Sequence, residues 1–498
     1  MTQRESLSEA QRPGVLGRVA GAGAPLLIAA GSVALLVAVG GRYGWHRDEL
    51  YFFEAGKRLA WGYVDQPPFT PLVARVSHEL LGDSLVGLRL FPALAVGAVV
   101  LLTASMAGDL GGERRARLVA ALGAGLCPVF LGAGHLLSTA TFDLLAWAVL
   151  TWLVVRLLAG GDERLWLAVG VVVGIGFLNK HSMVFVVAAL AVALILGGRR
   201  GMFMSPWLWA GAVVASLLVL SNVAWHAAND WPVFDMTASL QDESEAVDSL
   251  VFIPSQLGMT GFTAIVWLPG LWWLFRTPEG KRWRPVGVAY LLLVALFVIT
   301  AGKPYYLSGM YPVLFAAGGV WWERRRRVVL PVTVVGLGAV GLIMALPVLP
   351  AARAADVPVE DLEVEFGAQL GWEQLVDHVE TAYRSLVSGG GDAVIVTSNY
   401  GEAGAVDRFG PSRGLPEAYS PHNTYWLWGP PGADTDQAVL VGFRGQEVEK
   451  WFDNCRLTWR FRTPHGVASE EEGRPVWACD GQRVSWNKLW PHIKSYRA

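Results

Sequence analysis

The chain runs to 498 residues, of which 53% are hydrophobic and only 16% charged, with 23 Trp and a formal net charge of −2. Soluble domains carry about 25% charged residues, so this composition excludes a single soluble globule and makes lipid the solvent for most of the chain. A near-neutral balance also leaves nucleic acid with no electrostatic footprint to bind.

Apolar runs of about 17 to 25 residues, long enough to cross hydrocarbon, fall near 24–41, 85–107, 118–134, 141–159, 165–179, 182–198, 207–226, 251–275, 285–301, 305–322 and 329–350. The expectation is an all-α polytopic membrane bundle of about eleven spans, with up to about thirteen allowed. Every second loop is basic: Arg114, Arg115 and Arg117, then Arg164, then Arg199 and Arg200, then Arg276 with Lys281, Arg282 and Arg284, and last the run from Arg324 to Arg327. The positive-inside rule places these loops, and the N-terminus with Arg4, Arg12 and Arg18, in the cytoplasm of a plasma-membrane protein. The first span has a short basic leader, but ten further spans and no convincing small-x-small cleavage site lead to the expectation of an uncleaved anchor.

The segment 42–84 then lies outside and holds five basic residues on the side that normally has few: Arg42, Arg47, Lys57, Arg58 and Arg75. It carries Asp48-Glu49 soon after the first span and Asp65 just before Pro67-Pro68, whose rings fix φ and set a rigid entry into the next segment. Between them YFFEAGKRLAWGY has the spacing of an amphipathic helix lying in the interface, and on that reading Glu54, Lys57 and Arg58 are solvated charges.

From about residue 351 to 498 the pattern becomes that of an external α/β domain. EQLVDHVETAYRSL has helical period; DAVIVTSNY reads as a buried strand, GEAGAVDRF as a short helix, QAVLVGF as a strand and GQEVEKWF as a helix. Cys455 and Cys479 both fall here, on the oxidising side, and a disulfide between them is expected. Residues 1–350 form the membrane part of this two-domain division.

The order of motifs resembles the polytopic GT-C glycosyltransferases, in particular bacterial members of the dolichyl-phosphate-mannose protein mannosyltransferase and aminoarabinose transferase superfamily. The resemblance rests on Asp48-Glu49, DQPPF at 65–69, Asp143 in STATFDLL, Lys180 in GIGFLNKHSM and GKPYYLSGMYP at 302–312, with SNYGEAGAVDRFG and HNTYWLWGPP in the tail. It implies a lipid-phosphate-sugar-dependent transferase working at the outer membrane face, with a polyprenyl-phosphate-linked sugar as donor and a lipid, glycan or protein as acceptor. The family's catalytic carboxylate maps onto Asp48, with Glu49 and Asp65 as further catalytic candidates. One departure is Gln66, where aminoarabinose transferases carry Lys before the double proline; Arg47, Arg58, Lys180 and Lys303 are the cations left to meet the donor phosphate.

Other polar residues near the expected external helix ends have two readings each. Lys180 and His181 either end a helix by snorkelling or lie near the donor phosphate. Lys303, Tyr305 and Tyr306 sit at another external end, where Tyr is common in interfacial belts and a lone cation calls for an anionic partner. Asp143 is either a helix cap or faces a wet cavity, since a carboxylate in hydrocarbon costs about 2.5 kcal/mol or more. His135 and His226 could join Asp48 or Asp65 around a divalent metal, although no HxxxH spacing supports one. The arginine run calls for lipid headgroups. The competing classes are a transporter or flippase, which needs ionisable residues midway along several spans, and a non-catalytic carbohydrate-binding membrane protein, in which Asp48 would be dispensable.

Overall fold

The computed structural model describes residues 15–243, 249–325, 336–338, 341–343, 345–356, 360–432 and 435–497. In hydrocarbon a chain must satisfy its own backbone groups, which leaves helices and closed barrels; among the described residues the apolar runs are mainly helical. In chain order they are α1 (Val15–Val39), α2 (Arg47–Lys57), α3 (Phe69–Leu81), α4 (Leu85–Asp109), α5 (Arg114–Gly125), α6 (Pro128–His135), α7 (Thr139–Leu158), α8 (Leu165–Phe177) and α9 (Met183–Leu196). There follow α10 (Pro206–Ala228), α11 (Pro232–Glu243), α12 (Ser249–Thr260), α13 (Ala264–Arg276), α14 (Arg284–Ile299) and α15 (Tyr311–Glu323).

Among the described residues five helical stretches are long and apolar enough to cross a membrane, or six if α5 and α6, bent by 55° at a break, count as one. About eleven were expected. The difference has a physical cause: α8 and α15 have 13 residues each, about 20 Å at 1.5 Å per residue, against a hydrocarbon core of about 30 Å. A hydropathy window runs through the turns that end them. Of the expected span 329–350, residues 329–335, 339, 340 and 344 lie outside the described residues, as do Arg326, Arg327, Arg4 and Arg12.

α4 packs against α1, α5, α7 and α15, while α8 lies along α10 and α13 along α15. Gly170 of α8 and Gly211 of α10 meet backbone to backbone, leaving no room for a Cβ on either. Small residues at a crossing let two apolar helices approach closely and gain contact where lipid supplies no hydrophobic drive.

The C-terminal segment builds a five-stranded sheet in the order β2 (Ala418–Tyr419), β1 (Ala393–Thr397), β3 (Gln437–Val441), β5 (Pro475–Gln482), β4 (Phe452–Arg460). β1 pairs parallel with β2 and β3; β5 runs antiparallel to β3 and β4. The helices Trp372–Val387, Tyr400–Phe409 and Gly445–Trp451 stand where helical period places them. β4 and β5 have no counterpart in the sequence reading, because β4 is mostly exposed and lacks the apolar alternation that marks a half-buried strand. Cys455 and Cys479 are directly opposite in the β4–β5 register and form a disulfide.

The sheet segment meets the membrane-type bundle through α2. The helix Tyr400–Phe409 packs along α2, and Gly401 and Gly404, three apart on one face, lie against Arg47 and Leu50. A side chain at either would force the two helices apart.

Candidate active site

α2 begins where the chain turns sharply after α1, and its first turn is capped from both sides. The His46 ring Nδ1 accepts from the Asp48 amide at 3.1 Å, and the Glu49 carboxylate accepts from the His46 amide at 2.9 Å, the reciprocal pattern of a capping box. Asp48 therefore stands in the first helical turn, where unpaired amides favour negative charge. Its side chain is 38% exposed. Asp48 Oδ1 accepts from the Tyr400 hydroxyl at 2.9 Å and lies 3.7 Å from Arg47 Nε. Burial works to raise the Asp48 pKa, but His46, Arg47, the Tyr400 hydrogen bond and Lys303 outweigh it and hold the carboxyl below its ordinary value. It is ionised at neutral pH.

Glu49, adjacent in sequence, has a different fate. It is fully buried, and its two oxygens take a forked pair of bonds from Arg89, Nε at 2.9 Å and Nη2 at 2.7 Å. Oε1 also accepts from the Leu137 amide at 3.0 Å. Arg89 in turn donates to the carbonyls of Gly40 at 3.0 Å and Gly44 at 2.7 Å. Expected among the catalytic carboxylates, Glu49 has neither an open oxygen nor access; successive residues on a helix point apart, and this one points into the protein.

Asp65 Oδ1 accepts from the Tyr51 hydroxyl at 2.7 Å, and Oδ2 from Asn423 Nδ2 at 3.3 Å. Burial, with the charge of Asp48 adding to it, outweighs these bonds and pushes its pKa up to about 6. The two aspartates thus sit in one electrostatic neighbourhood with their pKa values driven apart, the arrangement that separates acid and base roles.

Beyond the double proline, the Phe69 amide donates to the Leu178 carbonyl at 2.9 Å and Thr70 Oγ1 to Asn179 Oδ1 at 2.9 Å, pinning this loop to the α8–α9 turn. That turn carries Lys180, whose ammonium lies 4.6 Å from the Tyr306 ring centre and 5.1 Å from that of Tyr305. Asp143 is within electrostatic reach of Lys180 and accepts from Ser182 Oγ at 2.9 Å. Lys303 is exposed at the start of the short helix Pro304–Met310 and acts electrostatically on Asp48. The fold therefore gathers Asp48, Lys303, Tyr305, Tyr306, Lys180 and Asp143 from four separate stretches of sequence.

Three further candidates have partners of their own. Arg58, expected to be solvated or to meet phosphate, pairs with Glu417 at 2.9 Å and lies 4.5 Å over the Trp428 ring. Arg47 pairs with Glu470. His181 bonds Asn222 Oδ1 at 3.2 Å, and Asn222 holds the Trp61 carbonyl at 2.8 Å. The proposed metal ligands do not converge either: His135 Nε2 is 3.4 Å from the Arg89 guanidinium, a poor neighbour for a cation, and His226 stacks on Trp231. Among the described residues no three His, Cys, Asp or Glu gather as metal ligands.

Sequence reasoning missed Arg89, Tyr51, Tyr400, Asn423 and Thr424. Arg89 had a signal, being an ionisable residue within an apolar run, where charge is costly and paired. Tyr400 and Asn423 lie inside the tail motifs, but nothing local says that they reach residues some 350 positions away.

Residues 65–225 match the family model described as dolichyl-phosphate-mannose-protein mannosyltransferase. The chain is 28% identical over 250 residues to the lipid A galacturonosyltransferase RgtD of Rhizobium johnstonii, covering 47% of this chain and 50% of that one. It is 27% identical over 215 residues to an undecaprenyl phosphate-alpha-4-amino-4-deoxy-L-arabinose arabinosyl transferase of Sodalis glossinidius, covering 39% and 37%. The chain thus spans about half the length, or less, of these curated relatives. Crystal structures of ArnT from Cupriavidus metallidurans share the fold, with TM-scores of 0.60 bound to undecaprenyl phosphate and 0.62 in the apo state. They cover 91% and 92% of this chain, and 97% and 98% of theirs, at 14% identity. These findings support a member of the GT-C class, which the ordered motifs resemble.

Proposed function

We propose that the chain is a GT-C glycosyltransferase that moves a sugar from a polyprenyl-phosphate-linked donor to an acceptor hydroxyl at the outer membrane face. The observation that carries this is Asp48, an accessible carboxylate kept ionised at the start of α2, with Lys303 in its field. In this reading Asp48 takes the proton of the acceptor hydroxyl as that oxygen bonds to the anomeric carbon. The bond from that carbon to the phosphate oxygen breaks with inversion, and the polyprenyl phosphate leaves with the electron pair. A phosphate leaving group needs little acid assistance, so a second carboxyl need not protonate it. Lys180 and Lys303 supply charge to the departing phosphate, Tyr305 and Tyr306 line the way to it, and Asp143 stands within electrostatic reach of Lys180. Glu49 serves as a structural anchor, and Asp65 as a partner of Asp48.

The activities for which the relatives are named support undecaprenyl phosphate as the carrier and a lipid A-like glycolipid as the acceptor. The reading keeps residues 1–350 as the membrane part, counts the shorter apolar helices toward about eleven spans, and places the N-terminus in the cytoplasm and 351–498 outside. A transporter is less well supported, because the ionisable residues collect at helix ends.

The test is purified protein in lipid nanodiscs with undecaprenyl-phosphate-linked aminoarabinose or galacturonate and a lipid A acceptor, followed by mass spectrometry. Transfer by the wild type and a loss of about 100-fold or more in Asp48→Asn are expected. Equal turnover by the variant would remove Asp48 from the chemistry; no transfer from any polyprenyl-phosphate sugar would remove the reading.

A further inference from the structure

We propose that Tyr400 and Tyr51 are a stacked pair of positioning residues that hold Asp48 and Asp65 in register, so that the C-terminal sheet segment completes the site. The proposal rests on the reading of Asp48 given above and deepens it.

The two phenol rings lie 4.7 Å apart, inclined by 26°. Each hydroxyl donates to a different aspartate: Tyr400 to Asp48 Oδ1 at 2.9 Å, Tyr51 to Asp65 Oδ1 at 2.7 Å. A shift of one ring therefore moves the partner's hydroxyl too.

Both ends of the stack are fixed from the C-terminal segment. Tyr400 lies flat on His422, with ring centres 4.9 Å apart and 2° between planes, and Tyr51 stacks on Tyr425 at 6.2 Å. Tyr400 opens its helix directly after the N-cap Asn399, whose side chain accepts from the Glu402 amide. The Tyr51 oxygen is also 2.7 Å from Thr424 Oγ1, which accepts from the Val64 amide at 3.0 Å. A phenol has one proton to give, so the order that satisfies every group runs from Val64 N–H to the Thr424 hydroxyl, to the Tyr51 hydroxyl, to Asp65.

Asn423 adds a second hold on Asp65. It is buried at φ 46° and ψ −131°, a conformation that residues other than glycine rarely take and that surrounding contacts must impose. Here they do: its side chain spans from Asp65 Oδ2 to the Arg497 carbonyl at 3.0 Å and accepts from the Arg497 amide at 3.1 Å.

Asp48 is faced by His46 and Arg47 from its own helix turn, by Tyr400 from the C-terminal segment, by Lys303 and by Asp65. Glu365 and Tyr305 stand behind, the former against His46. Removing only the Tyr400 hydroxyl leaves all those charges in place while deleting a bond that favours the carboxylate.

The experiment is pH-dependent carbodiimide labelling of carboxyls in detergent-solubilised full-length protein, read by peptide mass spectrometry, alongside turnover. In Tyr400→Phe the labelling midpoint of Asp48 should rise by about one pH unit, and turnover should fall about tenfold with donor KM within about twofold. Tyr383→Phe, on the helix Trp372–Val387 and outside the stack and its supports, should change neither. Tyr51→Phe should shift the midpoint of Asp65 in the same direction, which keeps the test alive if Tyr400→Phe folds poorly. Unmoved midpoints in variants that melt like the wild type would overturn the clamp. Wild-type turnover in Asp48→Asn would instead overturn the catalytic reading, and the labelling would still report on the clamp.

Discussion

Two neighbouring carboxylates, Asp48 and Glu49, show how far environment outranks residue type. Asp48 stays open and charged; Glu49 is locked to Arg89, which is only 2% exposed. Breaking a buried pair by removing one partner leaves an uncompensated charge and costs about 3–5 kcal/mol. Arg89→Ala should therefore lower the thermal midpoint sharply, whereas Asp48→Asn should melt close to the wild type; equal melting of both would mean that the Glu49–Arg89 pair contributes nothing. Asp65 makes a pH prediction. Unfolded aspartates titrate near about 3.9, and in the folded state this carboxyl has a pKa of about 6. The native state thus binds more protons between those values. Its stabilising contribution is complete below about pH 4 and is lost as pH rises through about 6. Asp65→Asn should raise the melting temperature at pH 7.5 and leave it unchanged at pH 4, as scanning fluorimetry across that range can check.

At the scale of elements, the junction between α2 and the helix Tyr400–Phe409 matters most, because it carries Tyr400 to Asp48. Its closeness depends on Gly404, where a Cβ would come within 2.9 Å of the Leu50 Cβ and 3.0 Å of its backbone carbon. Overpacking of this kind costs about 1–3 kcal/mol. Gly404→Val should lower both stability and turnover, while Gly389→Ala, with nothing within 4 Å of the added carbon, should change neither. The β4–β5 hairpin is secured by Cys455–Cys479, 24 residues apart, and closing such a loop stabilises by about 3 kcal/mol in the chain-entropy model. Thiol-blocked, non-reducing peptide mapping should recover the linked pair, and Cys455→Ser with Cys479→Ser should melt earlier.

For the whole molecule the orientation is open to direct test, since Cys127 is buried and the other two cysteines are joined. The protein thus offers almost no background to thiol labelling. If residues 351–498 lie outside, a membrane-impermeant maleimide should label Ser412→Cys in intact cells and Lys281→Cys only after permeabilisation. The reverse pattern would move Asp48 to the cytoplasmic side and end the proposal for an external site.

What the sequence determined by itself is whatever depends on neighbours along the chain. Uncharged runs of Leu, Val and Ala must be helical in lipid; the patterns of EQLVDHVETAYRSL and GEAGAVDRF set two further helices; the shift near residue 350 announced the sheet segment. Asp48 was singled out by the resemblance, whose ordered motifs place the family's catalytic carboxylate there, while membrane topology marked only the basic residues around it. Tertiary structure decided everything that depends on which distant groups meet. It made Glu49 an anchor by bringing Arg89 to it, sent Arg58 to Glu417, kept His135 and His226 from sharing a metal, and delivered Tyr400 and Asn423 to the two aspartates. Burial and electrostatic partners fix a side chain's chemistry, and both are properties of the folded neighbourhood that spacing along the chain does not carry.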